Sequence, residues 1–584
     1  MIKNLIHKPL FHFLIIALFS LIAYSNTFNV PFHFDDKKVI VENSIIKDLG
    51  YFTSPSKAKE FKEHYGYHTF KSRYVGYLTF ALNYKVHGLD VTGYHIVNLL
   101  IHITTALLLY QLVILCFMTP FLARSNIKKY SGQIAFFSAL LFACHPIQTE
   151  AVTYLWQRVA SLTAMFYLLS LILYIKWRLS PDQGRGPLSS ARSFPFYLLS
   201  IITVIIAMKT KQTAFTLPAA IAMYEFIFFD GKVKKRLLYL IPFALTMLII
   251  PLTLIDIGKP LGNLTEATRV LTDISRTDYL LTQFRVLVTY IRLIFLPINQ
   301  NLDYDYPIYT SFLSIGVFTS FIFLAALFSS GVYLFYRYRD SVPHTRLITF
   351  GILWFFITLS TESSIIPISN LICEYRMYLP SAGVFILLVT GIFMFVQRYE
   401  SRHKTIGTAA VCILVVIAVV LTGTTYARNT VWNSELSLWS DVIKKSPGKA
   451  RGYNNVGMCY FKKKNYIKAI PYFQKAIEID PFHDTALSNL GLSYMREGKP
   501  GKVIEILREA VKINPSNNLY HITLGIAYFK KGFIDDSILH LKYAVELDPS
   551  NADAHYNLGI AYGAKGMNDL AYKEMMLGMS LPGK

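Results

Sequence analysis

Acidic side chains are scarce in this 584-residue chain, with 36 Asp and Glu against 58 Lys and Arg, and charged residues of both signs make up only 16% of it. Ordinary soluble proteins carry about a quarter, so a soluble enzyme is excluded. Cysteine is scarce too. Its five copies, Cys116, Cys144, Cys373, Cys412 and Cys459, lie mostly in apolar runs and form neither a disulfide framework nor a CxxC zinc pattern. What is abundant is apolar: 53% of residues are hydrophobic and 15% aromatic. That is the composition of a polytopic membrane protein with soluble mass attached, and it disfavours nucleic acid as the partner of the +22 formal charge.

A bilayer core of about 30 Å takes about 20 helical residues to cross. Apolar stretches approaching that length recur near 10–25, 94–118, 133–144, 160–175, 194–208, 214–229, 237–256, 312–335, 347–361, 381–397 and 405–425, which predicts eleven spans. The first has a poor cleavage site after Ala23 and reads as an uncleaved anchor. Lys and Arg crowd segments 1–8, 119–132, 176–193, 230–236, 337–346 and 398–404, which are therefore the cytoplasmic loops. The apolar stretch 280–296 is expected to be re-entrant or interfacial on the outer side, since a further span would reverse every later loop. With eleven spans the amino terminus is inside and the carboxyl terminus outside.

The chain changes character near residue 425. Gly457, Gly491, Gly525 and Gly559 are spaced by 34, as are Tyr460, Tyr494, Tyr528 and Tyr562, and Pro481, Pro515 and Pro549. With Ala476, Ala510 and Ala544 in the second helix, this is the tetratricopeptide pattern: small residues let paired helices approach, aromatics fill the groove, and Pro ends the unit. The domains read as a membrane domain over 1–425, a connecting half-repeat over 426–449 (Trp432 to Pro447) and about four repeats over 450–584.

Chemistry is sought where ionisable groups press against apolar spans, because such groups usually face a cavity or a partner. Asp35 and Asp36 follow the first span, either as a general base tuned by its neighbour or as a helix cap in a solvated loop. Arg73 approaches the second span, placed to bind phosphate through its fork or to anchor to lipid head groups. Next come His145-Pro146-Ile147-Gln148-Thr149-Glu150 and then Arg158, with Glu150 and Arg158 able to pair. Lys209-Thr210-Lys211-Gln212 lies between two spans, Arg285 and Arg292 share one helix face, and Glu374-Tyr375-Arg376 precedes the tenth span. Five loops contributing polar groups to one membrane face point to a single outward site. No metal set is visible at ligand spacing in the first of these loops.

The stretches FHFDDKKVI, SRYVGYLTFALNY, GYHIVNLLIH, HPIQTEAV and EYRMYLPS, in that order and followed by tetratricopeptide repeats, resemble the transmembrane and tetratricopeptide repeat-containing protein O-mannosyltransferases across essentially the whole chain. The resemblance implies an all-α architecture: a GT-C-type membrane domain and an extracytoplasmic repeat solenoid. It further implies inverting transfer of mannose or a similar hexose from a polyprenyl-phosphate donor to a hydroxyl, most simply a protein Ser or Thr. Matched position by position, Asp35 and Asp36 take the family's acidic pair as catalytic candidates, Arg73 its first-loop arginine, His145 and Glu150 its HPxxTEA and Lys211 the lysine of its Lys-Glu-Gln stretch; because a lipid-phosphate leaving group must be held by cations, Arg73, Lys211, Arg285 and Arg376 are the candidates for the donor phosphate. His145, Glu150, Arg158 and Glu374 shape the site. Gln212 stands where the family usually has Glu, and Arg376 is displaced by one position from the family's arginine. With cations neutralising the phosphate, no metal or other cofactor is required.

The expected partners are a polyprenyl-phosphate-linked sugar, membrane lipid and an acceptor polypeptide presented by the repeats. The short repeat tail and basic composition resemble a bacterial inner-membrane member, with site and repeats on the periplasmic side. Two other readings stay open: a glycosyltransferase acting on envelope lipid or glycan, and a non-catalytic repeat scaffold for an envelope assembly. A transporter is disfavoured because the ionisable residues sit at span ends rather than mid-membrane.

Overall fold

A computed structural model describes residues 8–54, 57, 67–180, 193–254, 274–338 and 341–581, and among these every regular element is helical. Lys3, most of the basic loop 176–193 and Lys584 lie outside the described residues. The chain divides into two units, Met1–Leu302 with Tyr306–Asn433, and Ser434–Lys584 with Asp303–Asp305.

The first unit is a bundle of apolar helices: α1 (Pro9–Tyr24), α2 (Tyr74–His87), α3 (Val91–Cys116), α4 (Ser131–Cys144), α5 (Arg158–Arg178), α6 (Phe194–Met208), α7 (Leu217–Phe228), α8 (Val233–Thr246), α9 (Arg276–Phe295), α10 (Ile315–Tyr338), α11 (Thr345–Leu359), α12 (Tyr378–Tyr399) and α13 (Ile406–Asn429). Six helical stretches among the described residues are long and apolar enough to cross a bilayer, those containing α3, α5, α8, α10, α12 and α13, and α1, α6 and α11 are shorter apolar helices. The chain is an integral membrane protein. Eleven spans are not reached on length and apolarity together. At 1.5 Å per residue, α4 with 14 residues and α7 with 12 extend only about 21 and 18 Å. The stretch around 280–296 is one continuous helix, α9, rather than a re-entrant loop; Ser275 Oγ caps it by accepting from Asp278 N.

Close approach between helices comes from small residues, as expected where lipid supplies no hydrophobic drive. A Cβ on Gly351 of α11 would lie 2.5 Å from the Gly383 carbonyl oxygen of α12. Ser170 of α5 and Ser200 of α6 each donate to the other's carbonyl, at 2.9 and 2.8 Å. At the end carrying the basic loops, the buried Glu225 carboxylate on α7 accepts from Arg178 at 2.8 and 2.9 Å and from Arg236 at 3.1 Å. This one carboxylate ties α5, α7 and α8 together.

The second unit is a row of helix pairs: α14 (Glu435–Lys445), then α15 (Ala450–Lys462) with α16 (Tyr466–Ile479), α17 (Asp484–Arg496) with α18 (Pro500–Ile513), α19 (Asn518–Lys530) with α20 (Ile534–Leu547), and α21 (Ala552–Ala564) with α22 (Asn568–Ser580). Cβ atoms on Gly457, Gly525 and Gly559 would fall 2.7, 2.5 and 2.4 Å from Phe473, Leu541 and Met575 of the second helices, so the 34-residue glycine is the contact point of each pair. Ala476, Ala510 and Ala544 are fully buried opposite. The turn between paired helices needs a left-handed residue, supplied by Gly498, Gly532 and Gly566 at φ +70, +83 and +83, and in the first repeat by Lys464 at φ +57.

Candidate functional site

The loop after α1 separates two adjacent carboxylates. Phe34 is held at φ +50, a conformation that non-glycine residues rarely adopt. Beyond this turn Asp35 is exposed and Asp36 is only 1% exposed. Asp36 is saturated by backbone donors: His33 N donates to Oδ2 at 3.0 Å and Trp156 N to Oδ1 at 2.7 Å. Burial pushes Asp36 up to about 8, against the two backbone bonds that favour its charge. Asp35 is held from the side, its Oδ2 accepting from the Tyr154 hydroxyl at 3.0 Å. Asp36 therefore fastens the loop to the segment entering α5, and Asp35 is the member of the pair open to solvent.

Trp156 leads from this carboxylate pair to a cluster of cations. The Arg73 guanidinium lies 5.3 Å from the Trp156 ring, and Val75 N bonds the Lys209 carbonyl at 3.0 Å, so the start of α2 is set against the loop after α6. That loop carries Lys211, whose Nζ donates to Glu362 Oε1 at 2.8 Å and sits 4.5 Å from the Tyr375 ring. Arg73 and Arg376 are close enough that their charges act on both Lys211 and Glu362. Burial, aided by these arginines, pushes the Lys211 pKa down, and Glu362 opposes this. Burial would raise Glu362, but Lys211, Arg376 and Arg73 outweigh it and hold the carboxyl below its usual range. The Nε atoms of Arg73 and Arg376 are buried with no hydrogen-bond partner among the described residues. Beside Arg376 opens a small pocket of about 20 Å³, lined by Lys211, Thr213, Thr358, Glu362, Tyr375 and Arg376 among others. Three cations facing one carboxylate leave an excess of two positive charges, which suits an anion such as a phosphate.

Other sequence-selected residues hold loops in place. His145 Nδ1 accepts from Ile147 N at 3.1 Å and its Nε2 bonds the Ile294 carbonyl at 2.9 Å; burial lowers its pKa to about 4, so the ring is neutral and bridges to the end of α9. Glu150 accepts from Tyr375 N at 2.9 Å and thereby caps the short helix Glu374–Met377 that presents Arg376. Burial, followed by the neighbouring Glu374 charge, raises Glu150 to about 8. Glu374 accepts from Asn301 N and Gln300 Nε2, both at 2.7 Å.

Two expectations, for Arg158 and for Arg285, are corrected here. Arg158 does not pair with Glu150. It is fully buried, donating to Asn98 Oδ1 at 2.6 Å and to the Tyr94 and Thr79 carbonyls, with its guanidinium 4.3 Å from the Phe80 ring. Arg376 makes no ion pair with Glu374 or Glu150; its terminal nitrogens donate to the Asn370 and Leu371 carbonyls at 2.7 and 3.2 Å. Arg285 is not gathered with the other cations but goes to α10, where Nη1 donates to Ser320 Oγ at 3.2 Å. The residues the sequence reading missed are Glu362 and Tyr154. Glu362 was open to discovery by the same rule that selected the others, because it is a lone carboxylate immediately after an apolar span. Its Lys211 contact spans 151 residues and has no local signature.

Comparison with known proteins bears on the repeats and on the chain as a whole. Residues 450–483 and 485–517 match the tetratricopeptide repeat, and 527–566 match the TPR repeat. The chain is similar to the mouse protein O-mannosyl-transferase TMTC3, 26% identical over 505 residues, which covers 79% of this chain and 50% of that protein. It is also similar to the Caenorhabditis elegans protein O-mannosyl-transferase F38B6.6, at 26% identity, 81% of this chain and 63% of that one. The human protein O-mannosyl-transferase TMTC1 is 31% identical over 224 residues, 37% of this chain and 24% of that protein. The chain thus spans about half the length of the mouse relative. Among solved structures, MamA 41-end from Desulfovibrio magneticus RS-1 aligns with 25% of this chain and 82% of its own, at 20% identity and a TM-score of 0.24.

Proposed function

We propose, starting from the likeness to proteins named O-mannosyl-transferases, that this chain is a membrane mannosyltransferase using a polyprenyl-phosphate donor. It transfers to a Ser or Thr hydroxyl of an acceptor polypeptide on the extracytoplasmic face. The observation that supports the donor class is the Lys211–Glu362 ion pair at 2.8 Å in a small pocket that Arg376 also lines, with the Arg73 charge acting on both members of the pair. The tetratricopeptide repeats support a protein acceptor, which they select. Placement in a bacterial inner membrane rests on the short repeat tail and basic composition, and the periplasmic side for site and repeats on the distribution of basic loops.

In this reading the acceptor oxygen attacks the anomeric carbon from the face opposite the phosphate, and its proton passes to the Asp35 carboxylate. The bond from that carbon to the phosphate oxygen breaks, the electron pair departs with the polyprenyl phosphate, and the configuration inverts. The leaving phosphate needs little protonation, so the protein's main task is to orient the donor and stabilise its charge with preplaced cations. Glu150 and Glu374 act indirectly by fixing the short helix on which Arg376 stands.

The test is reconstitution in liposomes with polyprenyl-phosphate mannose and Ser/Thr peptides, paired with glycoproteomics of the extracytoplasmic fraction with and without the protein. Transfer to peptide and a lost hexose on native proteins are expected. Failure to turn over any polyprenyl-phosphate hexose, with an unchanged glycoproteome, would overturn the reading.

A further inference from the structure

The end of α13 forms a clasp on the loops around Asp35. Thr425 Oγ1 donates to the Cys144 carbonyl at 2.6 Å, and Asn429 Nδ2 donates to the Ala23 carbonyl at 2.9 Å. Asn429 Oδ1 also accepts from Thr153 Oγ1 at 2.7 Å. In the short helix Thr430–Asn433 that follows, the Trp432 carbonyl accepts from His33 Nε2 at 2.6 Å. The Trp432 ring stacks on Tyr154, with centroids 5.7 Å apart and planes 26° from parallel. Thr153 and Tyr154 are thus held in succession by α13 and the turn beyond it. Both stacked rings are buried, and the Trp432 Nε1 has no hydrogen-bond partner among the described residues, so the indole acts on its neighbours by packing alone. The Tyr154 hydroxyl in turn grips one residue at two points: it donates to Asp35 Oδ2 at 3.0 Å and accepts from Asp35 N at 3.2 Å. With Oδ2 engaged, Oδ1 is the oxygen left to take a proton.

We infer that Tyr154 is a positioning residue for Asp35, and that Trp432 acts through it by fixing the tyrosine ring. The inference rests on the proposed transfer with Asp35 as base and adds the residues that aim that base. An exposed aspartate on a loop has several staggered rotamers open to it, whereas a general base must stand within hydrogen-bond reach of the hydroxyl it deprotonates. A tyrosine locked by packing on one side and bonded to both the backbone and the carboxylate of the base on the other supplies that constraint.

The experiment uses the full-length protein in liposomes and compares wild type with Tyr154→Phe, Trp432→Phe, Trp432→Leu and the double variant Tyr154→Phe/Trp432→Leu. Initial rates of transfer from polyprenyl-phosphate mannose to a Ser/Thr peptide give kcat and both KM values, and residue-resolved amide exchange is read at Asp35 and Asp36. Tyr154→Phe keeps the ring and removes the hydroxyl. Its kcat should fall about 10- to 100-fold, as for a misplaced catalytic group, with both KM values and the melting temperature unchanged. Asp35 N loses its acceptor and should exchange about three- to tenfold faster, while Asp36 N, bonded to the His33 carbonyl at 2.9 Å, should not change. Trp432→Phe keeps a ring against Tyr154 and should retain wild-type kcat; Trp432→Leu should lower it, yet cost nothing further once the hydroxyl is gone. Wild-type kcat in Tyr154→Phe, or a loss that only follows a lower melting temperature, would overturn the positioning role, and additive losses in the double variant would overturn the part given to Trp432. If wild type transfers no sugar, the functional reading fails, and exchange at Asp35 still decides whether Tyr154 holds it.

Discussion

Replacing each member of the carboxylate pair by its amide separates two roles that the sequence leaves merged. Asp36→Asn keeps one oxygen and puts an NH2 group where the other accepted. Either the His33 or the Trp156 backbone N–H, bonded at 3.0 and 2.7 Å in the native protein, then faces a donor inside a site that is 1% exposed. A buried donor stripped of its partner costs about 1–3 kcal/mol, which is about 5- to 150-fold in a folding equilibrium at 1.4 kcal/mol per decade. Asp35→Asn touches only the half-exposed bond to Tyr154 and should leave stability within about 0.5 kcal/mol, while removing a general base slows transfer about 10²- to 10⁴-fold. The assay pairs thermal denaturation in detergent with initial rates of peptide mannosylation. Asp36→Asn should lower the melting temperature and lose activity in proportion to the folded fraction. Asp35→Asn should melt like wild type and be inactive at saturating substrate. A stable, inactive Asp36→Asn beside a fully active Asp35→Asn would refute the assignment and return the base to Asp36.

Arg376→Lys keeps a charge and loses the guanidinium fork, so donor KM should rise less than in Arg376→Ala; both should lose some stability, because the bonds to the Asn370 and Leu371 carbonyls go too. An unchanged donor KM in both variants would leave Arg376 as a brace alone. Asp36 and Glu150, each raised to about 8, hold protons in the folded state that the unfolded chain has released above its carboxyl pKa near 4. Stability should therefore fall as pH rises from about 4.5 through 8, and Glu150→Gln should flatten that slope; a slope of opposite sign, or one unaltered by the variant, refutes it. Lys464→Gly relieves a side chain at φ +57 and should stabilise the first repeat by about 1 kcal/mol, read as slower amide exchange in α15 and α16. Faster exchange there would refute it.

The repeats were legible because their signal is local and recurrent: Gly457 and its equivalents at intervals of 34 mark helix contacts that the structure reproduces. The left-handed turn position escaped notice because Lys464 breaks the series of Gly498, Gly532 and Gly566. In the membrane unit, composition disclosed apolar helices but not their number, since α4 ends at Cys144 before His145-Pro146 and is shorter than a bilayer. The site residues were found by one rule, ionisable groups against apolar spans, which cannot distinguish a group facing a cavity from one bracing a loop. Arg158 and Arg376 look alike by that rule; only tertiary structure gives one to Asn98 and carbonyl oxygens and sets the other beside Glu362. Asp35 and Asp36 follow the left-handed turn at Phe34 with one exposed and the other buried, which no composition reveals.

The carboxylate among the three cations bears on how a catalytic cycle would end. A sugar-bearing phosphodiester carries one negative charge, whereas the phosphomonoester left after transfer carries between one and two at neutral pH. With Glu362 already neutralising one of Arg73, Lys211 and Arg376, two positive charges remain, and these match the spent lipid better than the loaded one. The charge that develops on the departing phosphate is favoured as the bond breaks, and the same preference retains the product afterwards. Turnover would then be limited by release, with the spent carrier acting as a competitive inhibitor. If the proposed donor binds here, Glu362, the native partner of Lys211 at 2.8 Å, would compete with the spent carrier for that cation and help to displace it.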